Sequence, residues 1–522
     1  HRDLHSFPTR RSSDLKRFRR SLRHFLLGRS AQALATLGLT LLAIRALDGE
    51  SYGIYMVIWG FVEILGPLTS LGLLPAVQRY LPELAERGST SSIRRFVASV
   101  TAARISLVLL GGLAFGLGWP AVAAWMGQPD VNDSQGWLGA AIIVAVLLSR
   151  FAAETLECLL EQKSAQWTRA LLPLLRLAGL ATAMALGVVA LPLLLLIDLV
   201  AALLVMAVGE GLLIRALRRL RPEGSHAVPR RELLLYVWHL SAAQLLEAVS
   251  SPGTLRVVVA RVLGVEVAGH FAFLQQLVIT ARRYLPSVLF ANLVRPMMIA
   301  RSGEADRPQV AAGLGLLWKV NAMTVWPLMP AMLLIGALAV QALSGGRVDA
   351  STWAMVLLVA GLAAQAQNQP ITLAMQVYGL SASIRNMNLL ALLAVPAVAI
   401  GARWGMAGAF GGLAVAMALR NVAGMAILRR RALPMALDRV GVVRLLAALL
   451  LLTAAGWSLS AVGAHWSLGL SVLLGGYLLS FFVVRPLTST EFALLQRASG
   501  RALKGLARFV RKDGLDAHLP LT

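Results

Sequence analysis

Apolar runs of about 20 residues recur along this chain from Leu22 to Val484, and no other feature restricts its fold as strongly. A helix rises about 1.5 Å per residue, so each run spans the roughly 30 Å of hydrocarbon in a bilayer. In lipid the backbone must satisfy its own polar groups, which leaves helices or closed barrels. The runs lack strand alternation, so the expectation is an all-α bundle with lipid as its solvent. Composition agrees. Of 522 residues, 57% are hydrophobic and 14% charged, against about a quarter charged in soluble domains.

The pattern reads as fourteen transmembrane helices, at 22–44, 53–80, 95–119, 137–160, 170–188, 192–214, 233–262, 268–294, 313–343, 352–377, 385–400, 405–428, 441–461 and 466–484. A net charge of +24 would point to nucleic acid in a soluble chain. Its distribution points elsewhere. Lys and Arg crowd alternate loops and tails, including residues 16–23, 215–231 and 429–439, whereas the opposite set holds Arg45, Arg261, Arg347 and Arg403. That asymmetry is the positive-inside pattern, and it predicts cytoplasmic termini with a basic face toward the anionic inner leaflet. No nucleic-acid partner is expected.

Cys158 is the only cysteine and falls within a span, which excludes a disulfide framework and a cysteine metal site. His239 and His270 show no ligand spacing, no nucleotide-binding loop is found, and no cofactor is expected. Residues 1–15 do not share the character of the rest of the chain and read as translated sequencing-adaptor sequence. The basic segment after them leads into a first span that stays, with no cleavable signal.

The chain looks duplicated. Arg45-Ala-Leu-x-x-Glu50-x-x-Gly53-x-Tyr55 follows the first span, and Arg261-Val-Leu-x-x-Glu266-x-x-Gly269-x-Phe271 follows the seventh, an offset of 216 residues (261 minus 45). Two six-helix halves result, 16–232 and 233–440, followed by two extra helices at 441–484. Such halves place a substrate site near mid-bilayer. The tail, 485–522, opens with Thr488-Ser-Thr-Glu491, a capping box. Arg497, Arg501, Lys504, Arg508 and Lys512 then recur at helical spacing opposite Leu494, Leu495, Leu503, Leu506 and Val510, an amphipathic helix suited to the membrane surface.

Ionisable groups inside spans cost roughly 2.5–3.5 kcal/mol each and so mark cavities or partners. The bases are Arg29, Arg104, Arg150, Arg176, Arg256, Arg282, Arg283, Lys319 and Arg420, and the acids Glu63, Glu154, Glu157, Asp198, Glu210 and Glu247. The excess is cationic. Guanidinium forks suit phosphate, so Arg256, Arg282 and Arg283 are the candidate substrate-binding residues of a cationic cavity. Internal pairing is the competing reading, favoured for Arg150 with Glu154. Glu63 and Glu247 are candidates for proton or Na⁺ coupling, salt bridges to neighbouring arginines being equally open. The run Gln365-Ala-Gln367-Asn368-Gln369-Pro370 breaks an apolar helix and offers Gln365, Gln367, Asn368 and Gln369 as polar lumen groups, although interhelical hydrogen bonds explain amides more often.

Ser70-Leu-Gly-Leu-Leu-Pro75-Ala-Val-Gln-Arg79-Tyr-Leu-Pro82-Glu83, preceded by Glu50-Ser-Tyr52-Gly53-Ile-Tyr55, resembles the start of the Wzx-like polysaccharide-export flippases of the MOP superfamily, which also holds MATE exporters and lipid II flippases. Gly405-Met-Ala-Gly408-Ala409 looks like the small-residue motif of their C-terminal half. The resemblance implies a MOP/MATE-like fold in the bacterial cytoplasmic (inner) membrane, with spans 1, 2, 7 and 8 lining a cationic cavity, and so adds Arg29 to Arg256, Arg282 and Arg283 as a candidate substrate-binding residue. The implied activity is alternating-access export of undecaprenyl-diphosphate-linked oligosaccharide to the outer leaflet, beside other polysaccharide assembly proteins. It implies a transporter and not an enzyme. A drug/cation antiporter of the same superfamily, a membrane glycosyltransferase or polymerase, and a scaffold for glycan assembly are the alternatives. Asp48-Gly-Glu50 is the one acidic loop motif a glycosyltransferase could use, without the outer loops such an enzyme needs.

Overall fold

The computed structural model describes residues 11–128, 132–220, 224, 228–285, 307–433, 435–463, 465–499 and 509–510. Most of the expected adaptor segment and the basic tail residues Arg501, Lys504, Arg508 and Lys512 lie outside them. Among the described residues the secondary structure is helical, apart from bridge residues at Gly88 and Ser89 and an isolated bridge between Leu487 and Val510. The helices fall into two compact units, His1–Gly269 and His270–Thr522.

In the first unit α1 (Arg11–Ala46) packs on α6 (Gln162–Ala185), and α5 (Asp133–Cys158) packs on α7 (Leu191–Arg219). The expected span 53–80 is two helices, α2 (Gly49–Ser70) and α3 (Leu73–Arg87). Between them Leu71 and Gly72 take positive φ, 39° and 79°, which ends one helix and starts another. A side chain at Gly72 would strike the Val237 carbonyl. The next helix, α4, runs Thr90–Trp125 with Ser89 capping it by accepting from Ser92 N. The span expected at 233–262 likewise divides into α8 (Arg230–Val249) and α9 (Pro252–Leu263). Ser251 caps α9 by accepting from Thr254 N at 3.2 Å, and Pro252 sits in the first turn, where its missing N–H costs nothing. The helix α10 (Val265–Arg282) follows.

In the second unit the expected span 313–343 divides at Pro327 into α11 (Arg307–Val325) and α12 (Leu328–Ser344). The amide run lies on α13 (Thr352–Val377), the same bounds as the expected span, and Pro370 is inside that helix. Proline lacks an N–H and leaves the carbonyl four residues earlier without its donor, which no lipid can replace. Both orphaned carbonyls are answered from a neighbouring helix. Asn321 Nδ2 donates to Ala366 O at 2.9 Å, and Tyr477 OH donates to Met323 O at 3.2 Å. Next come α14 (Ser381–Leu390), a 3₁₀ turn, α15 (Ala394–Ala402) and α16 (Gly405–Arg430), the last packed along α13 and α15. The two appended helices α17 (Arg439–Ala461) and α18 (Trp466–Val484) pack on each other and on α12.

The tail begins as the sequence predicts. Glu491 N donates to Thr488 Oγ1 at 3.2 Å and Thr488 N donates to Glu491 Oε2 at 2.9 Å, a reciprocal capping box that opens α19 (Ser489–Ser499). Lys319 fastens it. Its ammonium, on a side chain 1% exposed, lies 2.6 Å from Glu491 and 2.8 Å from Asp438, and donates to Pro486 O at 2.7 Å. One buried cation on α11 thus ties together the loop before α17, the end of α18 and the start of α19.

Among the described residues eleven helical segments are long and apolar enough to cross a bilayer, by length and composition, where fourteen spans were expected. The three that fall short are the most polar or the least described. Arg169 and Arg176 sit in α6, the amides sit in α13, and the span 268–294 is described only as far as residue 285.

Candidate functional site

In the first unit α2 and α9 approach at glycines. A side chain at Gly253 would strike the Gly60 carbonyl, and one at Gly53 would strike the Val265 carbonyl. Gly269, the repeat counterpart of Gly53, backs onto it, its own Cβ position lying 3.0 Å from Gly53 Cα. Less than a turn beyond Gly60 and Gly253, Arg256 Nη1 stands 3.4 Å from Glu63 Oε1. A candidate substrate residue and a candidate coupling residue are therefore one ion pair. Arg29 is half-buried on α1, and Glu247 is exposed on α8 with no ion pair among the described residues.

Other charges in this unit are consumed by structure. Arg176 Nε donates to Asp198 Oδ1 at 2.8 Å and its guanidinium lies 3.6 Å from the Trp59 ring centroid. Tyr55 OH and Trp59 Nε1 both donate to Asp198 Oδ2, at 3.0 and 2.9 Å. Buried Asp198 is thereby saturated, which is how an intramembrane carboxylate is tolerated. Glu157 pairs with Arg169 and accepts from Gln166. Arg104 donates to Thr69 Oγ1 at 2.9 Å. Asp48 caps α2: the Ser51 N–H donates to its carboxylate at 2.9 Å and holds its pKa below the ordinary value. That carboxylate serves as a helix cap.

The second unit brings candidate residues together. Arg282, at the end of α10, donates from Nη1 to Gln365 Oε1 at 3.2 Å. Arg420 on α16 lies close enough for its charge and that of Arg282 to repel, and donates from Nη2 to Asn388 Oδ1 at 2.8 Å. The Arg420 Nε is buried without a hydrogen-bond partner among the described residues. Both arginines are half-buried, and among the described residues neither has an ion pair. Two cations that feel each other's charge, each contacting a neutral amide and neither in an ion pair among the described residues, are an arrangement whose chemistry suits an anion.

The other amides divide by helical phase. Asn368 Nδ2 donates to Asn421 Oδ1 at 3.0 Å, and Asn421 Nδ2 donates to Ala364 O at 2.7 Å, so this pair is interhelical glue between α13 and α16. Gln369 is half-buried. Gln367 is buried, its Oε1 without a hydrogen-bond partner among the described residues, and lines a groove elsewhere on the unit. Arg283 is half-buried just past the end of α10. Arg420 and Asn388 are the residues that sequence reasoning left aside. Arg420 was visible as a charge within an apolar span, but nothing local marks Asn388 as its partner, 32 residues away.

Solved structures share this architecture. The lipid II flippase MurJ, inward closed, aligns with TM-score 0.63 at 11% identity, over 91% of this chain and 99% of its own. An inward-facing multidrug-resistance MATE family transporter of the MOP superfamily aligns with TM-score 0.57 at 13% identity, over 78% of this chain and 97% of its own. The chain has the MOP fold. A point mutant of the Vibrio cholerae MATE transporter VcmN shares it too, with TM-score 0.54 at 14% identity, over 80% of this chain and 98% of that one. No family model matches the sequence, and no curated protein matches it. The superpositions show a shared fold, and at identities of this size each side chain is read from this chain itself. Within the MOP fold MurJ reaches over more of this chain than either MATE structure does.

Proposed function

We propose that this protein is a flippase for undecaprenyl-diphosphate-linked oligosaccharide, carrying it from the inner to the outer leaflet of a bacterial cytoplasmic membrane by alternating access. The observation that carries the reading is the Arg282–Arg420 pair, backed by Gln365 and Asn388 and lacking any carboxylate partner among the described residues. A diphosphate brings the negative charge that such a pair lacks, and guanidinium forks meet phosphate oxygens two at a time. Arg29 and Arg283 are further candidate substrate residues, Arg256 is shared with Glu63, and amides tolerate a glycan. The substrate then feeds surface polysaccharide assembly, with both chain termini in the cytoplasm.

A cation antiporter needs carboxylates left free for its cargo. Here Glu63, Asp198 and Glu157 are each paired with an arginine, which weighs against that reading. If transport is coupled to protons or Na⁺, Glu247 is the better candidate, because Glu63 is engaged by Arg256.

The test is translocation of a defined undecaprenyl-diphosphate oligosaccharide in proteoliposomes. Wild type flips it, and Arg282→Ala and Arg420→Ala each abolish flipping while the protein still inserts and elutes as one species. Normal flipping by both variants overturns the proposal.

A further inference from the structure

A groove of about 700 Å³ runs along the second unit between α11, α13 and α16. Its long wall on α16 is the stripe Ala418, Val422, Met425 and Arg429, spaced four, three and four residues, so apolar contacts end in a cation. Small floor residues, Ala363, Ala364 and Ala426, leave the trough open. Trp318 and Trp326 form the other wall, ring centroids 5.7 Å apart and edge to face. From Asn421 to Arg429 the groove follows α16 for about 12 Å at 1.5 Å per residue.

At the arginine end the groove adjoins a second hollow of about 470 Å³, sharing Met425, Arg429 and Leu437 with it and adding Arg439. Arg430 stands on the rim of the first, and both residues of the Arg429–Arg430 pair are exposed. The loop between them is held in place. Ala436 N donates to Ala311 O at 3.0 Å, Gly315 has no side chain to keep the Ala436 carbonyl away, and Asp438 is paired with Lys319. The hollow is thus preformed.

We infer that this groove and hollow are a binding site for an anionic phospholipid of the surrounding bilayer, its phosphate among Arg429, Arg430 and Arg439 and one acyl chain along the trough. Charge complementarity decides the occupant. A neutral lipid leaves three arginines without a counter-charge, and a protein helix would need carboxylates at one end of an otherwise apolar face. Val422, in the wall, is 66% exposed, so the trough opens laterally as lipid entry requires. The transport site is elsewhere: at about 100° per residue, Gln365 and Arg420 project from the far faces of the same two helices. This inference is therefore independent of the proposed substrate.

The experiment is native mass spectrometry of the delipidated full chain in detergent, titrated with phosphatidylglycerol and with phosphatidylcholine of identical chains. Phosphatidylglycerol should bind more tightly. Arg429→Gln, Arg430→Gln and Arg439→Gln together should weaken it roughly a hundredfold and abolish the preference. Ala426→Trp keeps the arginines, fills the trough, and should lose both lipids, while Arg282→Ala leaves binding unchanged. Equal affinity of wild type for the two lipids overturns the site. So does full phosphatidylglycerol binding by Ala426→Trp, or retention of a polyprenyl diphosphate but not of phosphatidylglycerol.

Discussion

Arg256 Nη1 lies 3.4 Å from Glu63 Oε1, the arginine 1% exposed and the carboxylate 28%. Removing either partner takes this ion pair from the other charge, so Arg256→Met and Glu63→Gln should each lower the thermal midpoint in detergent. Removing both together should cost less than the sum, with a coupling on the order of 3 kcal/mol. A double-mutant cycle that comes out additive would detach the two residues.

The two carbonyls orphaned by proline make a matched pair of tests. Asn321→Leu uncovers Ala366 O and Tyr477→Phe uncovers Met323 O. Each should destabilise by about 1–3 kcal/mol. Adding Pro370→Ala to Asn321→Leu restores the helix's own donor and should recover much of that loss. Unfolding in denaturant would read both effects, and no recovery would mean that Asn321 acts through packing.

Glycines on different helices should respond oppositely to alanine. Gly253→Ala drives a methyl into the Gly60 carbonyl and must push α2 from α9, whereas Gly211 on α7 has open space around its Cβ position. Gly211→Ala should be neutral or stabilising by up to about 1 kcal/mol. Thermal midpoints of the two variants should move apart; parallel shifts would argue against close α2–α9 packing.

Lys319→Met leaves Asp438 and Glu491 facing a thioether instead of an ammonium. The start of α19 should then come loose, seen as faster trypsin cleavage at Arg497. Glu491→Gln should loosen it less, because glutamine keeps a capping-box acceptor for Thr488 N. Unchanged cleavage in Lys319→Met would show that the tail is held by other contacts.

What the sequence determined by itself is the class of structure and the position of its pieces along the chain. Apolar runs, positive loops and the Thr488–Glu491 box are local patterns, and hydropathy or a three-residue spacing reads them without a fold. It also singled out Arg282 and Gln365 as separate expensive groups. Only the tertiary structure decided which of these groups meet. Arg282 and Gln365 are 83 residues apart, Tyr55 and Asp198 are 143 apart, and Lys319 and Glu491 are 172 apart. Such contacts depend on how helices pack, and a side chain's neighbours across an interface leave no periodic trace in its own segment. The breaks at Leu71, Ser251 and Pro327 were hidden for a related reason: hydropathy averages over about 20 residues and cannot register a turn of two. Pairing therefore divided the intramembrane charges. Arg256 and Arg176 went to carboxylates, and Arg282 and Arg420 were left beside each other among amides.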